Sequence, residues 1–435
     1  MITFSCIFPI LNGANLIGTC LRSLEPQLLA DDEVIVVDNG STDGTPDLIA
    51  REFPRVKLIR AGENLGYGGG ANLGLQVMQC QAALIMNHDI TLLDGCLTAL
   101  RHRLELSGPA IVGCKLLYPD GQTIQHAGGI IHPPRAVADH HGYRQIDDGR
   151  WDTLSYPDYV TGAMFVIDRA VLFACGLIDD QFFPLYYEES DYCYRARRAG
   201  FPVIYEPQAV AIHHETVTYA SRSAAYHRTM ERSRLRFVLK NYLLEQRLDE
   251  FFRAELAFVQ QVDAAFAREV CAPVYDDVLM NLPPLPPEQA VAIIESLRQL
   301  RAAARRAAAV YEVTMSTPLS PLDVPALREH EFHSNLPLVG PLVVKVRQTL
   351  YSLTAKWPLR VALDQQTRIN QQLVQRLQQH EALLREYEVR LREYDERLID
   401  QDHDLAHLSR VVAETEVRQR HLAKAISAQS TKSQL

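Results

Sequence analysis

From residue 2 to about residue 90, apolar runs of strand length alternate with amphipathic stretches of helix length, joined by short connections. Thr3–Phe8, Glu33–Val37, Val56–Ile59 and Ala82–Met86 predict strands, and Asn15–Leu24, Thr45–Phe53 and Gly69–Gln79 predict the helices between them. Strict alternation of this kind calls for a parallel sheet with helices on both faces. Ser41 and Thr42 before Asp43-Gly44, with Pro46 in a first turn, are helix-start signals that support it. Polar or acidic residues follow or lie close to apolar runs in four places: Asp38-Asn39-Gly40-Ser41-Thr42-Asp43-Gly44, Asn64-Leu65-Gly66-Tyr67-Gly68, Asn87-His88-Asp89 and Glu188-Glu189-Ser190-Asp191. Carboxylates gathered at strand ends can hold a divalent metal and a phosphate-bearing ligand in one crevice.

After residue 110 the pattern changes. Ile111–Leu117, Thr123–Ile131, Val160–Ile167, Val203–Tyr205 and Ala209–Ile212 predict further strands, and His126–Gly149 predicts a long loop. A helix from about Thr229 to Tyr242 closes a first domain at residue 245. Residues 246–315 predict a helical region, and 316–364 a Pro-rich linker. Within that linker, Val343–Leu359 sets Lys345, Arg347 and Lys356 beside Leu350, Tyr351 and Trp357, a basic amphipathic pattern suited to peripheral contact with an anionic membrane or to packing on a neighbouring helix. Residues 365–425 predict a coiled coil. Counted in steps of three and four from Asn370 to Leu422, eleven of sixteen positions are apolar or Tyr. Homo-oligomerisation through this segment is the expectation.

The net charge of -9 argues against general attraction to nucleic acid. The eight cysteines are scattered, with no Cys-x-x-Cys spacing, and read as small buried hydrophobes of a cytoplasmic protein. The apolar N-terminus lacks a basic leader and reads as a first strand. No apolar run approaches the ~18 residues a membrane span needs.

Taken singly, each polar segment has a plain explanation. Asp38 and its turn would serve as an Asx-turn and helix cap, or as a ribose or base acceptor beside a phosphate-binding helix N-terminus. Gly66-Tyr67-Gly68-Gly69-Gly70-Ala71 imitates a dinucleotide fingerprint, yet Ala61–Leu65 separates it from its strand, against a dehydrogenase. Asp89 offers a metal one charged oxygen and Asn87 a neutral one. Glu188 and Glu189 suit a helix's first turn, or the deprotonation of a hydroxyl. His213 and His214 are structural histidines or metal ligands.

In order and spacing, these segments resemble the family 2 glycosyltransferases with a GT-A fold, nearest to rhamnosyltransferase-like members that build cell-surface polysaccharide. The likeness covers about residues 1–245. It implies an α/β fold with a GT-A, Rossmann-like mixed sheet. It also implies inverting, metal-dependent transfer of a sugar, rhamnose or another deoxyhexose, from a nucleoside-diphosphate sugar to a hydroxyl of a glycan or lipid-linked acceptor. By the same likeness Asp38, with Asn39, Ser41 and Asp43, would bind the nucleoside, and Pro9 and Asn12 would lie beside it. Asn64, Gly66, Tyr67 and Asn72 match the pattern that shapes the donor site, together with Gly74. The family's metal motif falls on Asn87-His88-Asp89, leaving Asp89 as its one carboxylate, with His213 as the trailing histidine; Mg2+ or Mn2+ would bind there. The Glu-Asp motif falls on Glu188-Glu189, so Glu189 would be the base and Asp191 its reserve.

Two other classes compete. A nucleotidyltransferase would carry a Gly-rich basic loop after strand one, where this chain has Pro9-Ile10-Leu11-Asn12-Gly13. A nucleotide-sugar-binding scaffold without catalysis would tolerate Asn87 and Glu189 at motif positions.

Overall fold

The computed structural model describes residues 1–214, 223–315 and 345. The predicted linker and coiled coil lie outside the described residues, as does the basic segment apart from Lys345. The strands are β1 (Phe4–Ile10), β2 (Glu33–Asp38), β3 (Lys57–Arg60), β4 (Ala82–Met86), β5 (Ile90–Leu92), β6 (Ile111–Leu117), β7 (Ile124–His126), β8 (Gly129–His132), β9 (Val137–His140), β10 (Met164–Asp168) and β11 (Val203–His213). Between and after them run α1 (Ile17–Leu24), α2 (Thr45–Glu52), α3 (Gly66–Val77), α4 (Cys96–Ser107), α5 (Arg169–Cys175), α6 (Glu188–Arg198) and α7 (Ala224–Asn241).

The main sheet runs β3-β2-β1-β4-β10-β6-β11-β5, with β7 added beside β6. The first four strands are parallel, as the alternation requires. β10 then enters antiparallel to both β4 and β6, which makes the sheet mixed, as the GT-A resemblance implies. Side-chain alternation along β1 sorts the core: Phe4, Cys6 and Phe8 face α1, α2 and α4, whereas Ile7 faces α3. α3 lies so close to β1 that a Cβ at Gly74 would come within 2.3 Å of Ile7 Cγ2. Seven of the eight cysteines are buried and Cys175 is half-buried, and all are free thiols.

Several elements depart from the sequence expectation. Thr123–Ile131 is two strands, because the chain turns at Gly128, whose φ of +94° is open to glycine. The stretch expected as loop contains β9, which pairs with β8 in a hairpin. β10 starts at Met164 rather than Val160, since Thr161–Ala163 forms a turn against neighbouring elements. α3 begins at Gly66, three residues early.

Residues beyond 245 are helical: α8 (Leu248–Val259), α9 (Ala264–Phe266), a π turn (Ala267–Cys271), α10 (Ala272–Met280) and α11 (Pro287–Met315). These helices share one apolar core with α7 and with Ala136, Phe182 and Tyr187, so Met1–Met315 is a single unit. At its centre lies the fully buried Glu255. Arg135 Nε donates to its Oε2 (2.8 Å), and Arg234 Nη2 (2.6 Å) and Tyr275 OH (2.8 Å) donate to its Oε1. Burial pulls the Glu255 carboxyl up, but the two guanidinium groups hold it below the ordinary range. Removing one partner of a buried ion network leaves the other charge uncompensated. Glu255→Ala should therefore cost about 3–5 kcal/mol in chemical denaturation. A loss under ~1 kcal/mol would show that the network does not hold the helices to the β8–β9 turn.

Candidate active site

The parallel strands end at one edge of the sheet, and the loops there are locked to each other. Asn12 N donates to Ser41 Oγ (2.8 Å), and Thr42 N donates to Asn12 Oδ1 (2.8 Å). Asp43 Oδ2 accepts Ala14 N (3.0 Å) and its Oδ1 accepts Thr45 N (3.1 Å). Burial raises the Asp43 carboxyl, yet hydrogen bonds from Thr45 and Ala14 outweigh it and keep the group below its usual range. Asn12, Ser41 and Asp43, expected to touch the donor, thus spend these atoms closing the β1 and β2 loops. Asp38 is buried at the tip of β2, and its Oδ1 accepts Ser41 N (3.1 Å). Asn39 Nδ2 donates to Gly66 O (3.1 Å), while its buried Oδ1 has no hydrogen-bond partner among the described residues. Gly70 lies against Pro9 and the Asn39 amide.

The Asn64–Asn72 segment is a brace. Asn64 Oδ1 accepts Gly66 N (2.9 Å), starting α3. At Gly66, φ is +72° and a Cβ would meet Pro184 O at 2.9 Å, so glycine is needed there. The glycines that imitate a dinucleotide fingerprint are packed on Phe183, Pro184 and Ile178. Asn72, expected to help shape the donor site, is engaged within the fold: its Nδ2 donates to Ile178 O (2.8 Å) and its Oδ1 accepts Ile178 N (3.0 Å), which pins the chain there. Tyr67 OH donates to Gly162 O. Burial first, then Glu188 and Glu189, push the Tyr67 phenol well up, which keeps its proton on.

The Thr161–Ala163 turn joins the two chemical halves. Asn87 N donates to Ala163 O (2.8 Å) on one side, while Gly162 packs over the Glu189 side chain on the other. The turn is held from behind by buried His126, whose Nε2 accepts Thr161 N (3.2 Å).

At the end of β4, buried Asp89 meets His213, with Asp89 Oδ1 3.2 Å from His213 Nε2. His213 Nδ1 contacts Gln125 Oε1 (2.6 Å), and Asn87 Nδ2 lies 3.5 Å from His213 Nε2. With the ring proton on Nδ1, Nε2 and Oδ1 are two acceptors face to face, a contact that a cation or a second proton must bridge. Among the described residues no group of three or more His, Cys, Asp or Glu converges as a metal site. His214 stands apart, with its Nε2 on Thr91 Oγ1 (2.9 Å).

Glu188 and Glu189 open α6 directly after Tyr186 (φ +81°) and Tyr187 (φ +67°). Left-handed backbone at non-glycine residues costs about 1 kcal/mol or more each and persists only where the surroundings impose it. Tyr187 OH supplies such an anchor, donating to Ala136 O (2.8 Å) and accepting Ala138 N (3.0 Å). Burial lifts Glu189 from an ordinary 4.5 to about 7. Burial, followed by the charge of Glu189, also raises Glu188 well above the ordinary range, and among the described residues Glu188 Oε2 has no hydrogen-bond partner. Asp191, the expected reserve base, is enclosed by donors. It is fully buried and accepts from Arg195 Nε (2.8 Å), Lys240 Nζ (2.8 Å) and Asn241 Nδ2 (3.0 Å), tying α6 to α7.

Residue-by-residue reading missed Gln125, His126, Tyr187 and the Thr161–Ala163 turn. Polar residues within an otherwise buried strand were the one available signal at 125 and 126. A raised carboxyl binds its proton more tightly folded than unfolded, so Glu189 removes stability as pH rises from 4.5 to about 7. Glu189→Gln should accordingly melt above the parent at pH 8, with the difference closing at about pH 4.5. Equal melting curves at both pH values would deny the shift.

Residues 5–171 match the model of glycosyl transferase family 2. The chain is 28% identical over 231 residues to the N-acetylglucosaminyl-diphospho-decaprenol L-rhamnosyltransferase of Mycobacterium tuberculosis, covering 45% of this chain and 72% of that protein. It is 25% identical over 263 residues to protein y4gI of Sinorhizobium fredii, covering 58% of this chain and only 29% of that relative. Among solved structures, GalNAc-T7 with UDP, GalNAc and Mn2+ aligns with a TM-score of 0.46 at 14% identity, over 59% of this chain and 52% of that one.

Proposed function

We propose, from the match of residues 5–171 to glycosyl transferase family 2, that this enzyme moves a sugar from a nucleoside-diphosphate donor to an acceptor hydroxyl with inversion, using Glu189 as base. The observation that carries the reading is a half-buried carboxyl at about 7, packed against the same turn that touches Asn87, two residues from Asp89. A base with a pKa near neutral is half ionised where it works and still able to take a proton. Glu189 accepts the hydroxyl proton while that oxygen bonds to the anomeric carbon. The bond from that carbon to the diphosphate breaks, and its electron pair leaves with the nucleotide. Tyr67, protonated, holds the Gly162 carbonyl and with it the wall of the site.

Asp38 is the donor-recognition carboxylate in this reading, and the buried, unpartnered Asn39 Oδ1 beside it is an acceptor for a ligand donor. The opposed acceptors of Asp89 and His213 fit Mg2+ or Mn2+, which when bound would supply positive charge to the diphosphate. The likeness to a rhamnosyltransferase makes a deoxyhexose donor and a lipid-linked or glycan acceptor the first to try. No helix among the described residues is long and apolar enough to cross a membrane. Peripheral contact with a lipid-linked acceptor is part of this reading and rests on the basic amphipathic pattern of Val343–Leu359.

Glu189→Gln should lower turnover by about 100-fold or more while nucleotide binding changes little. The parent's rate should rise with pH up to about 7. The assay is nucleotide release from a panel of nucleotide sugars with Mn2+, read by mass spectrometry. Unaltered turnover by the variant removes Glu189 from the role, and no release by the parent from any donor favours the scaffold reading. Assembly is a separate proposal, resting on the heptads of 365–425. A chain ending at residue 364 should be smaller in light scattering yet retain transfer, and an unchanged oligomer would refute it.

A further inference from the structure

We propose that Gln125 is a positioning residue for the cation site. It holds His213 in the tautomer whose Nε2 lone pair faces Asp89. The inference rests on the reading of Asp89 and His213 as metal ligands.

Sheet register brings the pair together across 88 residues of sequence. β7 and β11 both hang on β6, with His126 opposite Leu116 and Ile212 opposite Leu117. That places Gln125 beside His213 at the same end of one strand. Gln125 is 6% exposed and His213 9%, so water does not freely substitute for either partner. The 2.6 Å contact runs between His213 Nδ1 and Gln125 Oε1. An amide oxygen can only accept, so Nδ1 carries the proton and Nε2 is left as the acceptor. Asn87 Nδ2, 3.5 Å from Nε2, is a donor and favours the same assignment. Histidine ligands of metals commonly need such an acceptor behind the ring, which fixes both tautomer and orientation. A glutamine does this without adding charge to a site that already has Asp89. Were the Gln125 amide turned to present its NH2, the proton would sit on Nε2 and bond Asp89 directly. The cation position would then be closed.

The test uses the full-length chain. Gln125→Met keeps the volume and removes the acceptor, Gln125→Glu keeps an acceptor, and His213→Ala marks the loss of the ligand itself. Mn2+ affinity is measured calorimetrically with UDP, GDP and dTDP in turn, alongside nucleotide affinity without metal and the melting temperature. The imidazole 15N shifts of His213, assigned by difference from His213→Ala, report the tautomer directly. Expected are an Nδ1–H tautomer in the parent, a 10–100-fold loss of Mn2+ affinity in Gln125→Met, and near-parental affinity in Gln125→Glu. An Nε2–H tautomer in the parent overturns the inference, as does parental Mn2+ affinity in Gln125→Met when His213→Ala has lost it. If His213→Ala binds Mn2+ as the parent does, or the parent binds none, the metal reading itself fails. A Gln125→Met protein too unstable to titrate is judged by the parent tautomer and Gln125→Glu.

Discussion

β10 runs against both of its neighbours, and its register sets the site. Met164 pairs with Met86 and Phe165 with Ile85, so the residues before Met164 arrive beside those after Met86. There the chain turns, and Ala163 O takes the Asn87 N–H. Gly162 meets Glu189 and the Tyr67 hydroxyl in the same turn. A parallel β10 would carry Thr161–Ala163 to the opposite edge of the sheet. The strand end bearing Asp89 and the helix start bearing Glu189 would then have no common wall.

Carboxylates with low exposure divide by what faces them. Asp191 and Glu255 are each met by several donors, including cations, and act as structural ties. Among the described residues no cation pairs with Glu188 or Glu189, and burial drives both upward. The first arrangement stabilises the fold, whereas the second raises the carboxyls' proton affinity, to about 7 at Glu189, at a cost in stability. Tyr187 couples the two, since its ring lies in the helical core while its backbone leads into Glu188.

Much of the fold is legible in the sequence because its first half obeys local rules. β4 matches its expected bounds, and β1–β3, α1 and α2 fall within a few residues of theirs, since period, length and caps are all short-range signals. α3 begins early for a non-local reason: Gly66 is needed against Pro184, far along the chain. The strand expected over Thr123–Ile131 fails at Gly128, where two strands pair with different partners. Of the proposed site, Asp38, Asp89, Glu189 and His213 were visible as polar residues at element ends. Asn72 and Asp191 had the same appearance, yet their partners, Ile178, Lys240 and Asn241, lie 49 to 106 residues away.

By itself the sequence determined the alternating α/β layout, the sheet edge at which carboxylates gather and the ordered motifs of a sugar transferase, because these depend on neighbours along the chain. Only the tertiary structure decided which carboxylates are paired with cations and which are left without one and raised. It alone placed Gln125 behind His213 and helices 248–315 behind the β8–β9 turn. Burial and pairing set a carboxyl's proton affinity, and both are properties of residues brought together by pairing register rather than by sequence distance.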